Sequence, residues 1–203
     1  MFPHQSLNGE DHMIELTKDQ QKKLLILARK TIADKLGIKQ NMELPVFDDE
    51  IFSEKCGAFL TLHKTGNLRG CIGYIEGIKS IPETVKDMAV ASAFTDPRFP
   101  SLKPEEFKRI DIEISVLSPV EKVTDLNDIV VGRDGLIISR GFRRGLLLPQ
   151  VPAEYGWDRN TFLSHTCFKA GLPGDAWKKS DTVIEKFSAQ VFSEKELFME
   201  DNI

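Results

Sequence analysis

The first regular pattern along the chain is an apolar repeat at helical spacing. Leu24, Leu25, Ala28, Ile32 and Leu36 recur on one side, while Lys22, Lys23, Arg29, Lys30 and Lys35 fall largely on the other. Thr17 with Gln20 after it is a capping box, and Gly37 supplies the stop. The basic side of this helix reads as a solvated face. Ser80-Ile81-Pro82-Glu83 opens a second helix, with a capping box and a proline in its first turn. Val85, Met88, Ala89 and Ser92 follow, and Asp96-Pro97-Arg98-Phe99-Pro100 stops it, because proline cannot continue a helix. Asp158 caps a third helix that carries Phe162, Leu163, Thr166, Cys167 and Ala170 and closes at Gly171.

Other stretches have the period of a strand. In Ile110 to Leu117 the isoleucines and Val116 point one way, and Asp111, Glu113 and Ser115 the other. A strand with one apolar and one acidic side borders solvent or a polar cleft. Cys56 to Leu62 predicts a strand, Tyr74 to Lys79 an extended continuation, and Thr182 to Phe192 the last strand before an acidic tail. Leu136 to Ser139 and Leu146 to Leu148 predict two strands around a turn at Gly141-Phe142-Arg143-Arg144-Gly145. A repeat runs through these elements. Arg69-Gly70-Cys71-Ile72 matches Arg144-Gly145-Leu146-Leu147 in type, each followed by an X-Pro step, a helix and an apolar strand. Ile114-Ser115-Val116 and Ala189-Gln190-Val191 stand at the same offset. The expectation is two β-β-α-β units, near 56–118 and 135–193, flanking a cleft with equivalent Arg-Gly turns; coincidence is the alternative.

Composition narrows the class. The 203 residues suffice for one large domain or two lobes, and the net charge of -4 gives no global pull toward nucleic acid or anionic membrane. Cys56, Cys71 and Cys167 are too few and too widely spaced for a disulfide framework, so reduced thiols in the cytoplasm are expected. No apolar run reaches the length of a membrane span. Residues 1–12 lack the basic start and apolar core of a signal peptide and are expected to be a disordered lead-in to one domain over 13–200.

The densest chemistry lies in Leu68-Arg69-Gly70-Cys71-Ile72-Gly73. Gly70 and Gly73 suggest a turn, a bulge or a close backbone contact. Cys71 is a candidate nucleophile, with Arg69 placed to favour thiolate, or else a small buried hydrophobe. Its base would be His63 or His165, and Glu113 is either a general base or an arginine partner. Arg69, Arg98, Arg143 and Arg144 could converge on a phosphate or carboxylate, or merely pair with Glu113, Asp96 or Asp158. Cys167 and Cys56 are expected in the core. No spacing suggests a metal site, no fingerprint suggests a nucleotide cofactor, and none is expected.

Six ordered stretches together resemble one family, the AMMECR-type domain, named for the chromosomal region of an Alport-syndrome and elliptocytosis disorder. They are Leu68 to Gly73, Ala93 to Phe99, Ile112 to Ser118, Gly145 to Gln150, Trp157-Asp158 and Thr166 to Leu172. Ile78-Lys79-Ser80 departs from the family, where a proline-leucine step is usual. The resemblance implies an α+β protein of two unequal lobes, with antiparallel or mixed sheets flanked by helices and the glycine-cysteine motif near their interface. It implies no established reaction. It also implies association with Memo-like and radical-SAM proteins, beside which such domains are often encoded, in a shared modification pathway. The expectation is an enzyme or enzyme subunit acting on an anionic or carbonyl-bearing substrate, with Cys71 central and the arginines as binders. The alternative is a non-catalytic module that binds protein or nucleic acid through the same cleft.

Overall fold

Two hairpins, and two long strands that return beside them, build one antiparallel sheet. The computed structural model describes residues 14–41 and 43–199, so the expected lead-in lies outside the described residues. β1 (Ala58–Lys64) turns through Thr65 and Gly66 into β2 (Asn67–Tyr74), and helix α2 (Ile81–Phe94) carries the chain back to β3 (Ile110–Leu117). After a short strand β4 (Glu121–Lys122), the pattern recurs. β5 (Asp134–Arg140) turns through Gly141 and Phe142 into β6 (Arg143–Leu147). A short helix α3 (Gln150–Glu154) and helix α4 (Arg159–Lys169) then lead to β7 (Val183–Ser193). Helix α1 (Lys18–Lys35) precedes the first unit and α5 (Glu194–Met199) follows the second.

The strand order is β2-β1-β3-β7-β5-β6, with β4 on β7. The second half mirrors the first across the β3–β7 pair, as the expected repeat requires. The fold is α+β, a curled antiparallel sheet flanked by helices.

The helix boundaries follow the capping signals. Both capping boxes form, Thr17 with Gln20 and Ser80 with Glu83, Asp158 caps α4, and Gly37 and Gly171 follow α1 and α4 with positive φ.

One face of the sheet carries all the large helices. Leu60, Leu62, Ile112, Ile114 and Phe192 pack under α1 and α2, and Leu136, Ile138 and Ile184 pack under α4 with Phe162, Leu163 and Cys167. Alternation sends the intervening residues to the other face, where Leu117, Ile137 and Phe187 form a smaller cluster with Phe59 and Leu146. Phe59 and Leu146 come from opposite hairpins and pack against the same cluster, and the sheet curls toward this face. Across the opening, Arg144 on β6 reaches to 3.7 Å from Glu76, just beyond β2.

Register refines the repeat. Gly70 pairs with Leu62 and Gly145 with Ile138, so the two glycines are equivalent. Their arginines are not. The pairing skips Arg69, the extra residue of a β-bulge, whereas Arg144 pairs regularly with Ser139. Aligned this way, Ile112 corresponds to Ile184 through their partners Leu62 and Ile138, which is three residues away from the expected offset. The crossovers from β2 to β3 and from β6 to β7 differ in length, invisibly to a fixed spacing, and account for that slip.

Candidate functional site

The glycine-cysteine motif is strand, not turn. Gly70 and Gly73 both lie within β2, neither has positive φ, and the turn belongs to Thr65 and Gly66. The glycines serve close approach. A Cβ at Gly70 would stand 2.1 Å from the Ser92 carbonyl oxygen of α2, and one at Gly73 would stand 2.3 Å from the Phe59 ring. Gly70 thus lets α2 settle against β2, which fixes the height of Cys71.

Cys71 points away from α2, to the second face. Its pairing partner is Thr61 on β1, and Thr61 in turn pairs with Glu113 on β3. Register therefore sets a thiol, a hydroxyl and a carboxyl in one row across three strands. The Thr61 hydroxyl donates to the Cys71 Sγ at 3.3 Å. His63 and Asp111 form the next cross-strand pair, so His63 lies diagonally from Cys71 with no hydrogen bond to it. On the other side of the row, Ser115 Oγ is 3.2 Å from Gln150 Nε2, which places α3 over this face. The Gln150 Oε1 is buried without a hydrogen-bond partner among the described residues.

The backbone of Cys71 is clamped from outside the sheet. β2 is an edge strand, so its outward peptide groups need partners. The Cys71 N–H donates to Asp96 Oδ2 at 2.9 Å, and Arg98 Nη2 donates to the Cys71 carbonyl at 3.0 Å. Arg98 also grips Asp96 through Nε and Nη2, at 2.9 and 2.7 Å. Asp96 is only 3% exposed. Arg98 hydrogen-bonded to it holds its carboxyl far below the ordinary range, helped by the Cys71 N–H.

The carboxyls on the second face behave in the opposite way. Loss of hydration raises the proton affinity of Glu113, and Asp111, Glu154 and Glu196 nearby add to the rise while His63 opposes it. Asp111 is raised for the same first reason, against a hydrogen bond from the Lys195 N–H. This face is acidic, and the Glu113 carboxyl makes no hydrogen bond or ion pair among the described residues.

The four arginines do not converge. Arg69 is 8% exposed and binds Glu106 through Nε and Nη2, at 3.1 and 3.0 Å, as well as the Pro100 carbonyl. Its guanidinium and that of Arg98 flank one ring, Phe99. Arg143 reaches the Gly171 carbonyl at the far hairpin, and Arg144 faces Glu76 and Glu185. The bulge at Arg69 and the separation of the hairpins disperse them, which corrects the expected four-arginine anion cleft. His165 stacks on Trp157 at 3.9 Å on α4, across the sheet from Cys71, and is no partner for it. Cys56 and Cys167 are buried. Among the described residues no group of His, Cys, Asp and Glu side chains could hold a metal, and no helix is long and apolar enough to cross a membrane.

Thr61, Asp96, Asp111, Ser115 and Gln150 escaped selection as site residues. The alternation of Thr61 and His63 between apolar neighbours was the available signal for the row. Asp96 is read from sequence as part of a helix stop and as a possible arginine partner; Arg98 is that partner, and only the fold shows that it also binds the Cys71 N–H.

The family model of AMMECR1 matches residues 25–192. A relative in Methanothermobacter thermautotrophicus is 45% identical over 185 residues, covering 88% of this chain and 96% of the relative. Another in Methanocaldococcus jannaschii is 50% identical over 155 residues, covering 72% of this chain and 77% of its own. The crystal structure of an uncharacterised protein from Pyrococcus horikoshii superposes with a TM-score of 0.76 at 43% identity, covering 84% of this chain and 89% of that one. The motifs, the fold and these matches agree, and the chain belongs to the AMMECR1 family.

Proposed function

We propose that this protein is an enzyme, or the subunit of one, whose chemistry is carried by Cys71 with Glu113. The observation that supports this most is the row of Cys71, Thr61 and Glu113, set by strand register beside an apolar cluster. The Thr61 hydroxyl donates to the sulfur and fixes its place in the row. A carboxyl of raised proton affinity stands two strands away in the same row, with Thr61 between, so the thiol proton reaches it through the Thr61 hydroxyl or water rather than directly. In the reaction class this suits, the sulfur adds to a carbonyl carbon, the carbonyl π pair moves to oxygen, and the thiol proton ends on Glu113. The electrostatics favour a carbonyl-bearing substrate that is neutral or cationic over an anion, because Asp111, Glu154 and Glu196 crowd the row while Arg69 and Arg98 are paired with Glu106 and Asp96. A role beside Memo-like and radical-SAM proteins in a modification pathway is consistent with this reading.

Limited iodoacetamide labelling of the native protein tests it, with each cysteine peptide counted by mass spectrometry. Cys71 is expected to react first. Burial pushes the Cys56 thiol up to about 12 and raises that of Cys167, so both lag. Glu113→Gln should displace the pH profile of Cys71 alkylation. Labelling with Cys71 last, or a profile unmoved by Glu113→Gln, would discard the thiol–carboxyl pair.

A further inference from the structure

The two ends of the sheet are treated differently. At β2 the outward peptide groups of Cys71 are bound by Asp96 and Arg98. β6 is the opposite edge. Arg140 and Arg143 close a two-residue turn, so they form a hydrogen-bonded pair, and pairs then alternate along the hairpin. The N–H and C=O groups of Arg144 and Leu146 must therefore point away from β5. Among the described residues nothing donates to them or accepts from them. Leu146 is the register equivalent of Cys71, so the same two peptide positions are clamped at one end and open at the other.

The hairpin tips differ in the same sense. The first turn, Thr65 and Gly66, is polar, as a solvated turn should be. The second carries Phe142, which is fully exposed and contributes no burial to the fold. Phe142 borders a groove with Arg140, Arg143, Leu172, Pro173 and Asp181, the last paired with Arg140 at 2.8 Å. Arg143 and Lys169, both exposed beside the edge, have no carboxylate partner among the described residues, and Arg144 lies 3.7–3.8 Å from its two glutamates. Open strand edge, apolar anchor and uncompensated cations coincide.

We infer that β6 is a docking edge for an extended, acidic segment of a partner protein. The segment adds as a further strand by hydrogen bonding to Arg144 and Leu146, pairs its carboxylates with Arg143, Arg144 and Lys169, and packs an apolar residue on Phe142.

The test is selection of a random twelve-residue peptide library on the full chain, with counter-selection on a Phe142→Ser/Arg144→Glu variant. Winning peptides should be rich in Asp and Glu with alternating apolar residues. In amide-resolved hydrogen-exchange NMR they should slow exchange at Arg144 and Leu146. Phe142→Ser or Arg143→Glu should each weaken them tenfold or more, with the amide spectrum otherwise unchanged. Basic or charge-indifferent winners, protection elsewhere, or affinity untouched by both variants would overturn the inference. Self-association abolished by Phe142→Ser would overturn it too, by making a second copy the occupant.

Discussion

The two β-β-α-β units share strand order, hairpin and a helical crossover of different length, yet their second faces carry different side chains. The row Cys71, Thr61, Glu113 of the first unit corresponds in register to Leu146, Ile137, Glu185 of the second. Two substitutions of type turn a polar row into the wall of an apolar cluster. What stays the same is on the helix side. Gly70 meets the backbone of α2, and Gly145 meets the backbone at the end of α4, with a hypothetical Cβ only 2.2 Å from the Ala170 nitrogen. The lesson is that strand–helix packing constrains one face of each hairpin and leaves the other to diverge. One unit has a thiol, a hydroxyl and a carboxyl with a clamped edge, while its twin has hydrophobes and an open edge.

That comparison is most exposed to failure at the paired glycines. Gly70→Ala and Gly145→Ala should each destabilise the protein by about 3 kcal/mol in urea unfolding, because each new methyl meets backbone that cannot rotate aside. A mild Gly145→Ala beside a severe Gly70→Ala would break the equivalence of the two crossovers.

Acid should separate the units next. Arg69 hydrogen-bonded to Glu106 brings that carboxyl down to about 2, and Asp96 is depressed by Arg98. Folded values below unfolded ones mean that unfolding takes up protons, so this stability is present above the ordinary carboxylate range and fades as pH falls through it toward 2. The Cys71 amide should therefore lose hydrogen-exchange protection on acidification, while the amide of Gly145, at the matching edge, should change less. Equal loss at both edges would remove the clamp as the distinguishing feature.

The smallest effect is expected at Phe142. Its ring is fully exposed, so Phe142→Ser should shift stability by no more than about 0.5 kcal/mol. A larger loss would mean that the ring supports the fold, and the contrast between the two hairpin tips would need another explanation.

The sequence by itself determined the local elements. Capping boxes at Thr17 and Ser80, the cap at Asp158 and the stops at Gly37 and Gly171 are short-range signals, since each is a hydrogen bond or a φ requirement within a few residues. The alternation of Ile110 to Leu117 was legible because a half-buried strand writes its two faces into neighbouring residues. The repeat showed in outline through Gly70 and Gly145. Only the tertiary structure decided what long-range pairing sets. A bulge at Arg69 turned one of two look-alike arginines into the buried partner of Glu106 and left Arg144 on the other face. Register, fixed by which side of each strand the helices cover, brought Thr61 between Cys71 and Glu113. Asp96, read as part of a helix stop, became the partner of a peptide group 25 residues earlier. Such contacts depend on where the chain returns, which no local pattern encodes.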